Sequence, residues 1–195
     1  MENKKLDKTS VAFGLIAAAI HLSAYFIYNR QMFLGNTRPN AATWGLLLTI
    51  STMNCVSYFF MNRDWGKIVL PATSTLATFI TFGYAVTGGK FSGFGNYDIV
   101  AGAISLIAAG AWWYFQKDGL ANLILQIAVT ASFVPTFIGT WNNPTNESCL
   151  PWFFWTSAYI FLLASVLRRR KSWMDFIYPS NCLVLHATVG LLALR

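Results

Sequence analysis

Asn54, Asn181, His21 and His186 are polar side chains set inside long apolar runs, and they are the first places to look for chemistry. An amide without a partner in hydrocarbon costs several kcal/mol. Asn181 therefore needs either a polar ligand or a neighbouring helix to bond, and membrane bundles use amides in the second way commonly. Thr73 lies 108 positions before Asn181 and has the weaker claim, because a threonine hydroxyl can bond its own helix backbone. Asn54, also mid-run, faces other helices rather than lipid by the same argument. His21 and His186 could serve proton coupling near neutral pH, but a neutral histidine bonded to a neighbouring carbonyl is the favoured reading. Trp152 and Trp155 are one helical turn apart and share a face. They could stack on a sugar or a base, or anchor at the membrane interface. Pro71, Pro135 and Pro179 remove helix hydrogen bonds and are candidate hinges. Glu147 reads as a solvated loop acid, and Asp98 and Asp118 as helix caps. Trp112, Trp113 and Tyr114 read as belt residues.

The chain around these residues demands lipid. Of its 195 residues 55% are hydrophobic and 11% charged, against about 25% charged in soluble domains. Sixteen Phe, eight Trp and eight Tyr suit aromatic belts. The net charge of +7 is concentrated next to apolar runs, above all in Arg168, Arg169, Arg170 and Lys171, which argues for a cytoplasmic anchor and against nucleic acid. Cys55, Cys149 and Cys182 form no CxxC pair and no metal spacing with the histidines, so neither a metal nor another cofactor is expected. The first ten residues resemble a basic leader, but no small-x-small cleavage site follows, and a retained first span is expected. There is no lysine in the last run to hold a retinal, no Walker loop, no HExxH and no acidic pair, so an enzyme is not expected.

Seven apolar runs are long enough to cross a bilayer core, which takes about 20 residues of helix. They cover 11–28, 41–61, 65–86, 97–115, 119–140, 149–167 and 173–194. None alternates as a barrel strand must, so each predicts a helix. Lysine and arginine number ten on the side of the N-terminus and four on the other. This bias places the N-terminus in the cytoplasm and the C-terminus outside, and the short loops suit a bacterial inner membrane.

Sliding the chain against itself by 108 positions aligns Trp44 with Trp152, Trp65 with Trp173 and Pro71 with Pro179 without a gap. The offset predicts two equivalent three-helix units, residues 1–90 and 118–195, joined by a linking helix in 91–117. The fourth span restores parallel orientation, and parallel repeats place a site at their interface. The junction at 143–155 (NPTNESCLPWFFW) shows the plan best: Phe133-Val134-Pro135-Thr136 before it, Pro151-Trp152 within it, matched more weakly by Thr37-Arg38-Pro39-Asn40 and Trp44. In these features the chain resembles the PQ-loop superfamily, which includes the SWEET sugar transporters and the KDEL receptors, although Pro135 lacks the glutamine that follows it in that family. The resemblance implies a seven-helix 3+1+3 membrane protein that kinks at its prolines. It further implies that Asn181, with Thr73 as its counterpart, contacts the substrate beside aromatic neighbours.

The expectation is therefore a transporter or facilitator of a small neutral polar solute, sugar-like, working by alternating access. Asn181, Thr73, Asn54, Trp152 and Trp155 would bind the solute, His21 and His186 would carry any proton linkage, and homo-oligomerisation is left open. A receptor or complex subunit with the same fold is the first alternative. A carrier of nucleoside-like vitamin precursors, in the manner of the PnuC type, is the second.

Overall fold

The computed structural model describes residues 7–37, 41–87, 96–115 and 118–195. They form seven α-helices: α1 (Lys8–Phe33), α2 (Ala41–Asn62), α3 (Trp65–Thr87), α4 (Asn96–Phe115), α5 (Asp118–Asn142), α6 (Cys149–Arg169) and α7 (Ile177–Ala193). Six spans are long and apolar enough to cross a membrane: α1, Trp44–Asn62, α3, Asn122–Asn142, α6 and Trp173–Ala193. The chain is a helical membrane protein. The fourth apolar run folds as α4, a seventh helix that is not among the six spans.

Local chemistry sets the helix ends. Asp7 caps α1 by accepting from the Thr9 N–H at 3.1 Å. Asp64 does the same for α3 through the Gly66 N–H at 3.0 Å, after a tight reversal in which Arg63 takes φ 47°. Between α5 and α6, Pro144 opens a short 3-10 turn, Pro144–Asn146, whose first N–H it has no need to satisfy, and Asn143 caps it. A second 3-10 turn, Trp173–Phe176, leads into α7. Pro179 thus falls in the first turn of α7, not two turns into a helix, and removes no interior hydrogen bond there. Pro71 does lie inside α3.

Six helices close a ring in the order α1, α3, α2, α5, α7, α6 and back to α1, with α4 packed outside it on α5 and α2. Polar side chains tie the ring together, as expected where hydrophobic contrast with lipid is weak. Ser10 and Ser165 exchange hydroxyl bonds to each other's carbonyls across α1 and α6, at 3.0 and 2.8 Å. The Tyr25 hydroxyl meets Thr78 Oγ1 at 2.6 Å across α1 and α3. Close helix approach also matters: a Cβ on Gly14 would clash with the Gly66 carbonyl oxygen, so α1 and α3 touch only because Gly14 has none. Large apolar side chains such as Phe26 (73% exposed) and Leu76 (67%) point out of the ring. In water they would be an unsupported surface; in lipid they are solvated.

Candidate functional site

The ring encloses a cavity of about 840 Å³, open solvent at its mouth included. All six ring helices line it, each through residues three or four apart: His21, Tyr25 and Tyr28 on α1; Leu47, Ser51 and Asn54 on α2; Ser74 and Thr78 on α3; Val129, Phe133 and Thr136 on α5; Trp152, Trp155 and Tyr159 on α6; Tyr178, Cys182 and His186 on α7. That spacing puts each set on one helical face. Trp44, Ile50, Pro71 and Glu147 complete the lining.

The lining residues also pair along the sequence. His21 and Val129, Tyr25 and Phe133, Tyr28 and Thr136, Trp44 and Trp152, Leu47 and Trp155, Ser51 and Tyr159, Ser74 and Cys182, and Thr78 and His186 are each 108 positions apart. Ile50, Asn54, Pro71 and Tyr178 lack such a counterpart in the lining, and the position matching Glu147, Pro39, lies outside the described residues.

The walls are mostly rings. Trp155 sits with its centroid 5.0 Å from Trp152, 5.1 Å from Tyr25, 5.6 Å from Tyr28 and 5.5 Å from His186. His21 lies 5.6 Å from Tyr159. The His186 Nδ1 lies 2.6 Å from the Cys182 carbonyl oxygen. A carbonyl only accepts, so Nδ1 carries the proton and Nε2 is left as an acceptor. Two nitrogens of buried lining residues, Trp155 Nε1 and His21 Nδ1, have no hydrogen-bond partner among the described residues. Such orphans are uncommon in folded interiors and each asks for a partner, from water or from a ligand.

Glu147 stands at the lip of the cavity, in the turn before α6. It is half-buried rather than solvated, which corrects the expectation for this acid. The Trp152 Nε1–H donates to its Oε2 at 3.1 Å, and Tyr28 lines the same cavity. Burial pushes its carboxyl up to about 7 from the ordinary 4.5, against the opposing pull of the Trp152 and Tyr28 side chains. Among the described residues it is the one lining residue with a carboxyl, and no described lysine or arginine lines the cavity.

The residues singled out from sequence divide. Asn54, Trp152, Trp155, His21, His186 and Pro71 line the cavity. Trp152 and Trp155 are buried in its wall, at 7% and 2% exposed, and do not stand out from the bundle as exposed anchors would. Asn181 and Thr73 are not lining residues. Asn181 ties α7 to α5, donating to the Gln126 backbone oxygen at 3.2 Å and accepting from Thr130 Oγ1 at 3.2 Å. Thr73 bonds the Val69 and Leu70 carbonyls of its own helix, at 2.9 and 3.0 Å. Asn54 reaches across to α5, where its Oδ1 accepts from Asn122 Nδ2 at 3.0 Å and Gln126 Nε2 at 2.7 Å. Pro135 lies within α5, with its side chain outside the described residues, as are those of Trp112 and Trp113.

Beyond the cavity, towards the N-terminal end of α3, Lys67 and Asp175 form an ion pair at 2.5 Å, with side chains 0% and 2% exposed. They too are 108 positions apart. Asn62 Oδ1 accepts from Lys67 Nζ at 2.9 Å, and the Lys171 N–H donates to Asp175 Oδ2 at 2.7 Å. The Tyr58 hydroxyl bonds the Asp175 carbonyl at 3.0 Å and its ring packs 5.1 Å from Tyr178 of the cavity wall. Among the described residues no group of His, Cys, Asp and Glu could hold a metal ion. Comparison with protein-family models, curated proteins and solved structures finds no match.

Proposed function

We propose that this chain is a membrane transporter or facilitator that carries a small polar solute through the central cavity by alternating access between two three-helix units. One observation carries the reading. The cavity is walled by six helices of one ring, and sixteen of its lining residues fall into pairs at the sequence offset defined beforehand by Trp44 with Trp152 and Pro71 with Pro179. Exchanging α1 with α5, α2 with α6 and α3 with α7 returns the same ring order. Residues related by a twofold axis meet only on that axis, and Lys67 with Asp175 are such a pair. These features support a duplicated 3+1+3 plan of the PQ-loop type, with α4 as the linking span and the solute site on the pseudo-twofold axis.

The walls suit a solute with a flat or apolar face and a few polar groups. Sugars, nucleosides and cyclic or aromatic amines all have that shape. Ring faces take the apolar side, while Trp155 Nε1, His21 Nδ1 and His186 Nε2 offer hydrogen bonds. Passage to the N-terminal side of the cavity requires Lys67 and Asp175 to part, since they join the units there. The N-terminus in the cytoplasm, from the lysine and arginine bias, completes the proposed arrangement.

The test is uptake into liposomes holding the purified chain, with labelled sugars, amino acids, nucleosides and organic amines. Trp155→Ala, checked for retained folding, is expected to lower the flux at least about tenfold, the effect of losing about 1.4 kcal/mol of binding. No uptake in any class, together with a stable protein partner in pull-downs, would replace the transporter with the receptor or subunit reading.

A further inference from the structure

We propose that the solute taken by this cavity carries a positive charge: an amine or quaternary ammonium whose head sits at the mouth, among the rings of Tyr28, Trp44 and Trp152 and against the Glu147 carboxylate. The inference deepens the transporter reading and rests on the cavity being the solute site.

Three observations fix the sign of the charge. The first is the charge inventory: among the described residues the lining holds the Glu147 carboxyl and no lysine or arginine to balance it. The second is the arrangement of rings beside it. The Tyr28 ring lies 5.2 Å from Trp44, inclined at 48°, and 6.4 Å from Trp152, inclined at 84°. All three are buried, at 3%, 7% and 7% exposed. Differently inclined indole and phenol rings around one space present negative faces to a cation from several directions, and desolvated cation–π contacts are worth about 2 kcal/mol or more. The third is that the carboxylate itself is held in place. The Trp152 Nε1–H, on α6, donates to its Oε2 at 3.1 Å and leaves lone pairs for an ammonium.

The other charge classes fit worse. An anion would meet Glu147 and the negative ring faces with no cation among the described lining residues to offset them. A neutral sugar would bring no opposite charge to the half-buried Glu147 carboxyl, so that nothing offsets its negative form. Deeper in the cavity, the unpartnered Trp155 Nε1–H sets a further requirement: the solute body should carry a hydrogen-bond acceptor.

The lining tryptophans provide the readout. The purified full-length chain in detergent is titrated with three probes of one shape: benzyltrimethylammonium, uncharged phenylpropanol and anionic phenylacetate. Intrinsic tryptophan fluorescence is followed, with glucose and uridine as further neutral probes. The ammonium is expected to give a saturable change with an affinity about tenfold or more above every other probe. Glu147→Gln, which keeps an acceptor for Trp152, and Trp44→Leu should each remove that preference. Equal or tighter binding of a neutral probe overturns the proposal, as does an unchanged ammonium affinity in Glu147→Gln. If a variant fails to fold, the wild-type series across the three charges decides. Uptake of neutral solutes without preference for the ammonium sinks the charge assignment and leaves transport standing. Ammonium binding without uptake of any labelled solute supports the assignment and sinks transport.

Discussion

Glu147 is the residue whose behaviour departs furthest from what its neighbours in sequence suggest. In Asn143–Ser148 it is one acid in a polar loop; in the fold it is half-buried, with the Trp152 Nε1–H on its Oε2. Its carboxyl titrates near 7 when folded and near 4.5 when unfolded. A raised pKa means that the fold favours the neutral form. The contribution of Glu147 to stability is therefore complete below about pH 4.5 and is lost as pH rises through about 7. Asp7 does not confuse the measurement: its hydrogen bond to Arg168 Nε, 2.9 Å long, holds it below the ordinary 3.8, so it stays ionised throughout that window. Thermal unfolding in detergent should therefore show a lower midpoint at about pH 8 than at about pH 5, and Glu147→Gln should flatten the difference. An equal slope in the variant would mean that other groups set it. The buried amides speak to the same scale. Sequence rightly demanded partners for Asn54 and Asn181, since hydrocarbon offers none, but the choice between ligand and helix is a matter of where each side chain points.

At the scale of helices, the start of α3 meets the turn before α7 through Lys67 and Asp175. In sequence Lys67 counts as one of the charges flanking a span. In the fold it is fully buried, with Asn62 and Asp175 as partners. Taking one member away strands the other in a low dielectric, which typically costs about 3–5 kcal/mol, whereas removing both is far milder. Lys67→Met should be strongly destabilising, and adding Asp175→Leu should recover much of the loss. The check is a double-mutant cycle by denaturant titration in mixed micelles. Additive effects of the two substitutions would show that the pair is not coupled. The helices themselves were legible beforehand: each apolar run became a helix, with ends within a few residues, because a membrane chain must satisfy its backbone internally. The 3-10 turn over Trp173–Phe176 was not legible, and it moved Pro179 from a helix interior to a first turn.

For the whole molecule, the proposed topology places the turn before α6 and the Arg168–Lys171 run on opposite faces of the membrane. Single cysteines at residue 146 and residue 170, in a chain whose native cysteines are replaced, should react with an impermeant thiol reagent from outside and from inside respectively. The opposite pattern would invert the orientation and with it the direction in which the cavity mouth faces. Both sites reacting from one side would show that α6, which lies between them, does not cross the membrane.

Composition, run length and charge bias were enough to determine that this is a helical membrane protein, because those properties follow from the solvent a chain must match, residue by residue. The offset of 108 was equally visible, carried by rare tryptophans and prolines. Even the cavity had a latent signature: polar and aromatic residues recur at three- and four-residue spacing on α1, α6 and α7, on faces that would otherwise meet only apolar neighbours. Which of those faces converge could not be read from spacing. A helix of tryptophan, tyrosine and histidine looks the same whether its stripe meets headgroups, a neighbouring helix or a void. Only the closed ring decided that Trp152 and Trp155 face inward, that Asn181 is spent on α5, and that Glu147 leaves water. Those outcomes depend on contacts between positions tens to more than a hundred residues apart, and on the dielectric those contacts create.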